Sequence, residues 1–270
     1  MRQRFCPVRL LASASLIALV AAGLGGCTAT SKLSDVTGSI GPRAEAAPAD
    51  PARAVEVYGE RYRANPRDPE TGLAYGQALR ANGQRAQAAA VLEQATIANP
   101  GNKPLLAQYG RALADNGNFQ QAYDVLSKAH SPDNPDWRLL SVQGTCLDQM
   151  GRHDEARAYY TSALKIAPGD PGVLSNLGLS YMLSRDLPKA EETLRQAYAS
   201  PRASSRVRQN LGLVVGLQGR FAEAESIVKA DLPPDEAAAN VAYLKDMLNR
   251  HDGPRGGSKR TPVASLSQPG

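Results

Sequence analysis

The chain has 270 residues, 31 of them basic and 26 acidic, and 42% hydrophobic with only 5% aromatic. That is enough apolar material for one sizeable core, and three cysteines are too few for a disulfide-stapled scaffold. The net charge of +5 gives no support for nucleic-acid binding: Arg2, Arg4 and Arg9 head the chain, His251–Gly270 holds three basic residues and one acid, and the remainder carries 25 of each sign, whereas a phosphate backbone needs a clustered basic face.

Residues 1–26 read as a signal peptide. The three arginines precede an uncharged apolar run from Leu10 to Leu24, which is shorter than the ~20 residues that span a bilayer. Leu24-Gly25-Gly26-Cys27 resembles the bacterial lipobox, a leucine and two small residues before a cysteine that is diacylated ahead of cleavage. The resemblance implies lipidation of Cys27, and several acyl chains, at ~0.8 kcal/mol per buried methylene, anchor a protein stably. Many lipoproteins held at the inner membrane carry aspartate after that cysteine; Thr28 implies instead the outer membrane, with the protein on its periplasmic face. The rest of residues 27–49 is rich in Thr, Ser, Ala, Gly and Pro and reads as a flexible linker. With Cys6 discarded and Cys27 acylated, Cys146 remains alone and is expected to be a small buried residue rather than a nucleophile.

From residue 50 a period takes over. Gly76, Gly110, Gly144, Gly178 and Gly212 recur at a constant step of 34 residues, and Ala88, Ala122, Ala156, Ala190 and Ala224 follow twelve behind. Such a step, with small residues at two fixed phases, marks the tetratricopeptide repeat, a helix-turn-helix unit that stacks on its own copies. The small side chains are expected where helix A crosses helix B of the same repeat, since only hydrogen or methyl there lets the backbones approach. A large residue follows each alanine by four: Leu92, Leu126, Tyr160, Leu194 and Val228. The spacing predicts repeats over 69–102, 103–136, 137–170, 171–204 and 205–238. Gln143 is polar where an apolar residue is usual, and Arg185 stands where the turn between the helices carries glycine in Gly83, Gly117, Gly151 and Gly219.

The ends complete the array. Asp50–Asn65 reads as the lone helix B of a degenerate repeat and 235–250 as an amphipathic capping helix, covering apolar faces that a solenoid otherwise exposes. The fold class expected over 50–250 is therefore all-α, a right-handed solenoid of about five repeats with a half-repeat before and a cap behind. Residues 251–270, rich in Gly, Pro and Ser, read as a disordered tail.

The function expected of such a chain is that of a surface. His130, His153 and His251 have no spacing that gathers a metal or a nucleophile, so no catalytic residue, metal or cofactor is expected. The A helices of such stacks line a concave groove. Positions sharing one helical face put Gln77, Arg80, Gln108, Arg111, Thr145, Asn176, Leu179, Gln209, Asn210 and Leu213 along it. Asn176 and Asn210 share a phase, where an amide can bond both donor and acceptor of an extended peptide; asparagine merely tolerated on a solvent-facing helix accounts for them equally well. The lysine-and-arginine clamp of chaperone-binding repeats is not matched, because Leu73 and Ala107 stand at its positions.

Arg206-Val-Arg-Gln-Asn-Leu-Gly-Leu-Val-Val-Gly-Leu-Gln-Gly-Arg-Phe-Ala-Glu-Ala-Glu225, with Asp231–Glu236, Asn240–Leu248 and Asn176–Leu183, resembles the tight-adherence (Tad/Flp) pilus-assembly lipoproteins with tetratricopeptide repeats. That resemblance implies a non-enzymatic outer-membrane component of a pilus secretion machine. Its partners would be a secretin or another part of the apparatus, which it helps to localise or assemble as pilotins do. A reading of another class also fits a tethered repeat domain: a periplasmic adaptor docking envelope enzymes such as peptidoglycan hydrolases.

Overall fold

The computed structural model describes residues 50–252. Residues 1–49, with the expected signal peptide, Cys27 and the expected linker, and residues 253–270 of the expected tail lie outside the described residues. Among those described there are twelve helices and, beyond one isolated bridge between Ser131 and Asn134, no β-structure. The helix α1 (Pro51–Ala64) stands alone, and five pairs follow: α2 (Pro69–Ala81) with α3 (Arg85–Ala98), α4 (Lys103–Asp115) with α5 (Phe119–Ala129), α6 (Trp137–Gln149) with α7 (His153–Ile166), α8 (Pro171–Leu183) with α9 (Leu187–Tyr198), and α10 (Ser205–Leu217) with α11 (Phe221–Val228). The last helix is α12 (Pro234–Asp252). Each helix packs on its neighbours in sequence, and each A helix also meets the next A helix, the pattern of an all-α solenoid. None of the described helices is long and apolar enough to cross a membrane.

Local chemistry starts four of the five A helices, the exception being α10, whose Ser204 makes no side-chain cap bond. Asp68, Asn102, Asp136 and Asp170 stand one 34-residue step apart, and each side chain accepts a backbone N–H of the first turn, at 2.8 Å from Thr71, 3.1 Å from Leu105, 2.8 Å from Arg138 and 3.0 Å from Gly172. Such a cap contributes about 1 kcal/mol by satisfying a donor the helix leaves free. The A helices end in a left-handed residue: Gly83, Gly117, Gly151 and Gly219 have φ between +75° and +85°, and Arg185 takes the same conformation at +64°, alone among the described non-glycine residues.

The crossing of the two helices explains the 34-residue glycine. A Cβ on Gly76 would lie 2.4 Å from Leu92 Cγ, one on Gly110 2.5 Å from Leu126 Cγ, and one on Gly144 2.6 Å from Tyr160 Cε1. Gly178 and Gly212 face Leu194 and Val228 in the same way, both at 2.6 Å. Ala88, Ala122, Ala156, Ala190 and Ala224 are all buried beside these contacts. The large residue four past each alanine thus fills the space the glycine leaves.

The fifth repeat departs from the regular frame. Its helix B, α11, has 8 residues where the helices α1, α3, α5, α7 and α9 have 11 to 14. A helix B of full length here would run into Pro233 and Pro234, neither of which offers an N–H to continue a helix and each of which biases the preceding residue to extended backbone. Consequently α12 begins at Pro234, inside the 205–238 frame, and runs to Asp252, one residue earlier and two later than the expected cap. It docks through Ala237, which is fully buried, and through Leu244, which sits where a Cβ on Gly216 would be.

Candidate functional site

The inner faces of α2, α4, α6, α8 and α10 form one continuous surface, and their side chains are held to different degrees. At its start, Arg80 donates to Gln108 Oε1 at 2.9 Å and to Asp115 Oδ2 at 2.7 Å, tying α2 to α4, while Gln77 beside it is exposed. Arg111 lies deeper. Its Nε is buried without a hydrogen-bond partner, and burial first, then the positive charges of Arg80 and Arg138, push its pKa down, with Asp136 opposing.

Farther along, the two asparagines belong to a ladder between A helices. Asn176 Nδ2 donates to Ser141 Oγ at 3.1 Å and Asn210 Nδ2 to Ser175 Oγ at 2.9 Å, one repeat apart. Each amide oxygen remains available, so these residues both set the spacing of α6, α8 and α10 and offer an acceptor to the groove. Thr145 turns toward the helix pair instead, donating to Ser141 O at 3.1 Å and lying 3.3 Å from the Tyr160 hydroxyl.

Beneath the middle of the groove lies a polar node. Asp148 is buried and its carboxylate accepts from Ser180 Oγ at 2.8 Å and Tyr160 Oη at 2.9 Å, with His153 Nδ1 at 2.9 Å. Burial, and to a lesser degree the Asp148 charge, raise the Tyr160 pKa well above the ordinary tyrosine range, so the phenol keeps its proton. Serine, histidine and aspartate meet here, but the serine donates to the carboxylate and is fully buried, so the imidazole cannot activate it toward a substrate. Gln143 has a similar structural role: buried between α5 and α6, it donates to Ser127 Oγ at 2.9 Å and meets His130 Nε2 at 2.9 Å. Among the described residues no group of His, Cys, Asp and Glu is placed to hold a metal ion.

Two cavities open on this surface. The first, about 350 Å³, collects Arg111, Arg138, Arg206, Ser141 and Asn176 around the N-terminal ends of α6, α8 and α10. The second, about 510 Å³, lies between α10 and α12 and is lined mainly by apolar side chains, Leu213, Leu217, Val228, Tyr243 and Met247 among them, with Gln209 at its edge. Of the ten residues expected along the groove, Arg111 and Asn176 thus meet in the first cavity and Gln209 and Leu213 in the second; Arg80 and Gln108 pair with each other, Gln77 is exposed, and half-buried Leu179, Asn210 and Thr145 line neither. Arg138, Arg206, Tyr243 and Met247 were not singled out from the sequence.

A stack of paired helices with an inner groove carrying two cavities is a tetratricopeptide solenoid, a class that binds peptide or protein partners. Residues 79–144 and 147–211 match the family model described as tetratricopeptide repeat, so the chain contains such repeats. No curated protein matches the chain. Solved structures that resemble it include a chain of the APC/C hetero-tetramer Cut9–Hcn1, at 17% identity and TM-score 0.61, covering 75% of this chain. This chain spans only 40% of that one. TTC0263, a thermophilic repeat protein of Thermus thermophilus, is 21% identical with TM-score 0.58, over 66% of this chain and 99% of its own. PilW, described as a widely conserved type IV pilus biogenesis factor, is 18% identical with TM-score 0.61, over 72% of this chain and 91% of its own. At these identities each likeness establishes the fold alone.

Proposed function

We propose that the protein is a non-enzymatic assembly scaffold, anchored by lipid on Cys27 to the outer membrane and facing the periplasm. There it grips a segment of a secretin or another component of a Flp-type pilus machine and helps it to localise or assemble. The observation that carries the scaffold reading is the groove itself: two cavities share the inner face of α10, one carrying guanidinium groups and one lined mainly by apolar side chains, with the free amide oxygen of Asn210 between them. The polar node under the groove supports the absence of catalysis, since its serine is closed off and its carboxylate is fully engaged. The assignment to a pilus machine rests on the resemblance of Arg206–Glu225 and its companion segments to the tight-adherence lipoproteins; the likeness to PilW adds the fold and no more.

A photoreactive residue at Leu179 or Leu213, crosslinked in living cells and read by mass spectrometry, is expected to capture a pilus component. Deleting the protein is expected to remove surface pili and to reduce secretin multimers, and Cys27→Ser to release the chain from the membrane fraction. Normal pili and normal multimers after deletion would exclude the pilus reading, and an unchanged membrane fraction would exclude the anchor.

A further inference from the structure

The first cavity is unusual in its charge. Arg111, Arg138 and Arg206 converge on it from three different repeats, and among the described residues none of the three has an ion-pair partner. Arg138 has only the Trp137 ring, 4.3 Å from its guanidinium carbon, and Arg111 Nε is buried without any partner. The one acid in the lining, Asp170, is already engaged by the backbone N–H groups of Gly172 and Val173 at 3.0 and 3.1 Å. Asp136 and Asp115 offset part of the Arg111 charge without forming an ion pair with it, and the excess of like charge that remains favours an incoming carboxylate, which guanidinium groups bind in a bidentate fork.

The second cavity fixes what else the ligand carries. Arg206 in the first and Gln209 and Leu213 in the second share one face of α10, at offsets of three and seven residues. At a rise of 1.5 Å per residue the two sites lie ~10 Å apart along the helix, a distance that an extended chain covers in about three residues. Between them sits Asn210, whose Nδ2 is engaged by Ser175 and whose oxygen meets no donor among the described residues. The rim of the second cavity is open: Leu213 is 38% exposed, Met247 48% and Tyr243 65%. The chain's own residues 253–270 have the wrong sign for the first cavity, holding Arg255, Lys259 and Arg260 and no acid.

We infer that the groove takes an extended partner segment with two adjacent acidic residues and a large apolar residue three to four positions away, the carboxylates on Arg138, Arg206 and Arg111 and the apolar side chain in the cavity between α10 and α12. Asn210 Oδ1 accepts a backbone N–H of the segment between these anchors. The inference rests on the groove being a peptide-binding surface, as proposed above, and adds which peptide.

The test is a random-peptide display selection on the detergent-solubilised full-length chain, followed by fluorescence anisotropy of the enriched peptides. They are expected to carry the acidic pair and the apolar anchor at that spacing, and to bind less tightly as salt is raised from ~0.05 to ~0.5 M. Replacing the acids by their amides, or the anchor by serine, is expected to weaken binding about tenfold in each case. Arg138→Glu with Arg206→Glu, at two exposed residues, is expected to abolish it with helicity unchanged by circular dichroism. Arg111 is left unchanged because it is partly buried. Enriched peptides without acids, affinities that survive the charge reversal, or equal competition by phosphatidylglycerol vesicles overturn the inference while leaving the scaffold reading in place. Failure to enrich any peptide overturns it too, and the crosslink at Leu213 then separates the two: a captured partner keeps the scaffold, and none removes both.

Discussion

Replacing Arg185 by glycine is expected to stabilise the protein. At φ +64° an L-residue brings its Cβ against the following carbonyl, at a cost of ~1–2 kcal/mol. Glycine relieves that strain but gives the unfolded chain more freedom, a loss of ~0.4–1 kcal/mol. No hydrogen bond or ion pair of the Arg185 side chain offsets the balance, because it is exposed and makes none. The net gain is about 0.5–1 kcal/mol, or roughly 1–3 °C in Tm for a domain of this size, measurable by differential scanning calorimetry. Gly151→Ala is the matched opposite: φ is +77° and nothing lies within 4 Å of the added Cβ, so the backbone alone decides, and a fall of roughly 2–4 °C is expected. A lower Tm for Arg185→Gly, or an unchanged one for Gly151→Ala, would show that this turn does not impose a left-handed residue.

Gly110→Ala places a methyl 2.5 Å from Leu126 Cγ and 3.4 Å from Ala122 O, so urea unfolding is expected to show a loss of ~1–3 kcal/mol; an unchanged midpoint would mean the helices can separate freely. Asn176→Ala with Asn210→Ala removes two bonds between A helices; a loss of ~1 kcal/mol for each is expected beside weaker partner crosslinking, and crosslinking lost at unchanged stability would assign them to the partner alone. Burial pushes the Glu191 carboxyl up, yet hydrogen bonds from Arg220, Arg195 and Gln218 outweigh it and hold the group at about 2. Its contribution is therefore present above the ordinary value of 4.5 and lost as pH falls toward 2. Screening around the half-exposed arginines leaves about 1 kcal/mol, which Glu191→Gln should remove from the acid limb of the Tm profile. Burial pushes the Cys146 thiol up to about 11, so its peptide should resist alkylation near neutral pH until denaturant is added, as read by mass spectrometry.

What the sequence made legible follows from size at a fixed phase. Glycine at 76 against leucine at 92 is a contact inside one repeat, so a single chain carries the signal five times over, and the helix pairs can be read from it. The caps Asp68, Asn102, Asp136 and Asp170 carry the same step and were readable by the same logic, as was the proline pair that follows α11. The depth of Asp148 and Gln143 was not, because it depends on how far the next repeat overlaps the last. The arginine cavity was hidden for a related reason. Arg111 is the ninth residue of its repeat, whereas Arg138 and Arg206 are each the second of theirs, so only stacking brings them together. An equal count of charges over the folded part says nothing about such a local excess.

The groove is not uniformly prepared for a ligand. Its first half is tied down by Arg80 with Gln108 and Asp115, and its middle is pinned from below by Asp148 and along its wall by the serine-asparagine bonds. A surface fixed in this way loses little freedom on binding, so it can hold a segment in register without contributing many contacts. The second cavity differs because α11, at 8 residues, covers less of α10 than a full helix B would, and α12 leaves Leu213, Tyr243 and Met247 in solvent. Burial of apolar surface still to be gained is therefore concentrated at the last repeat, beside the guanidinium groups of the first cavity, which have no ion-pair partner among the described residues.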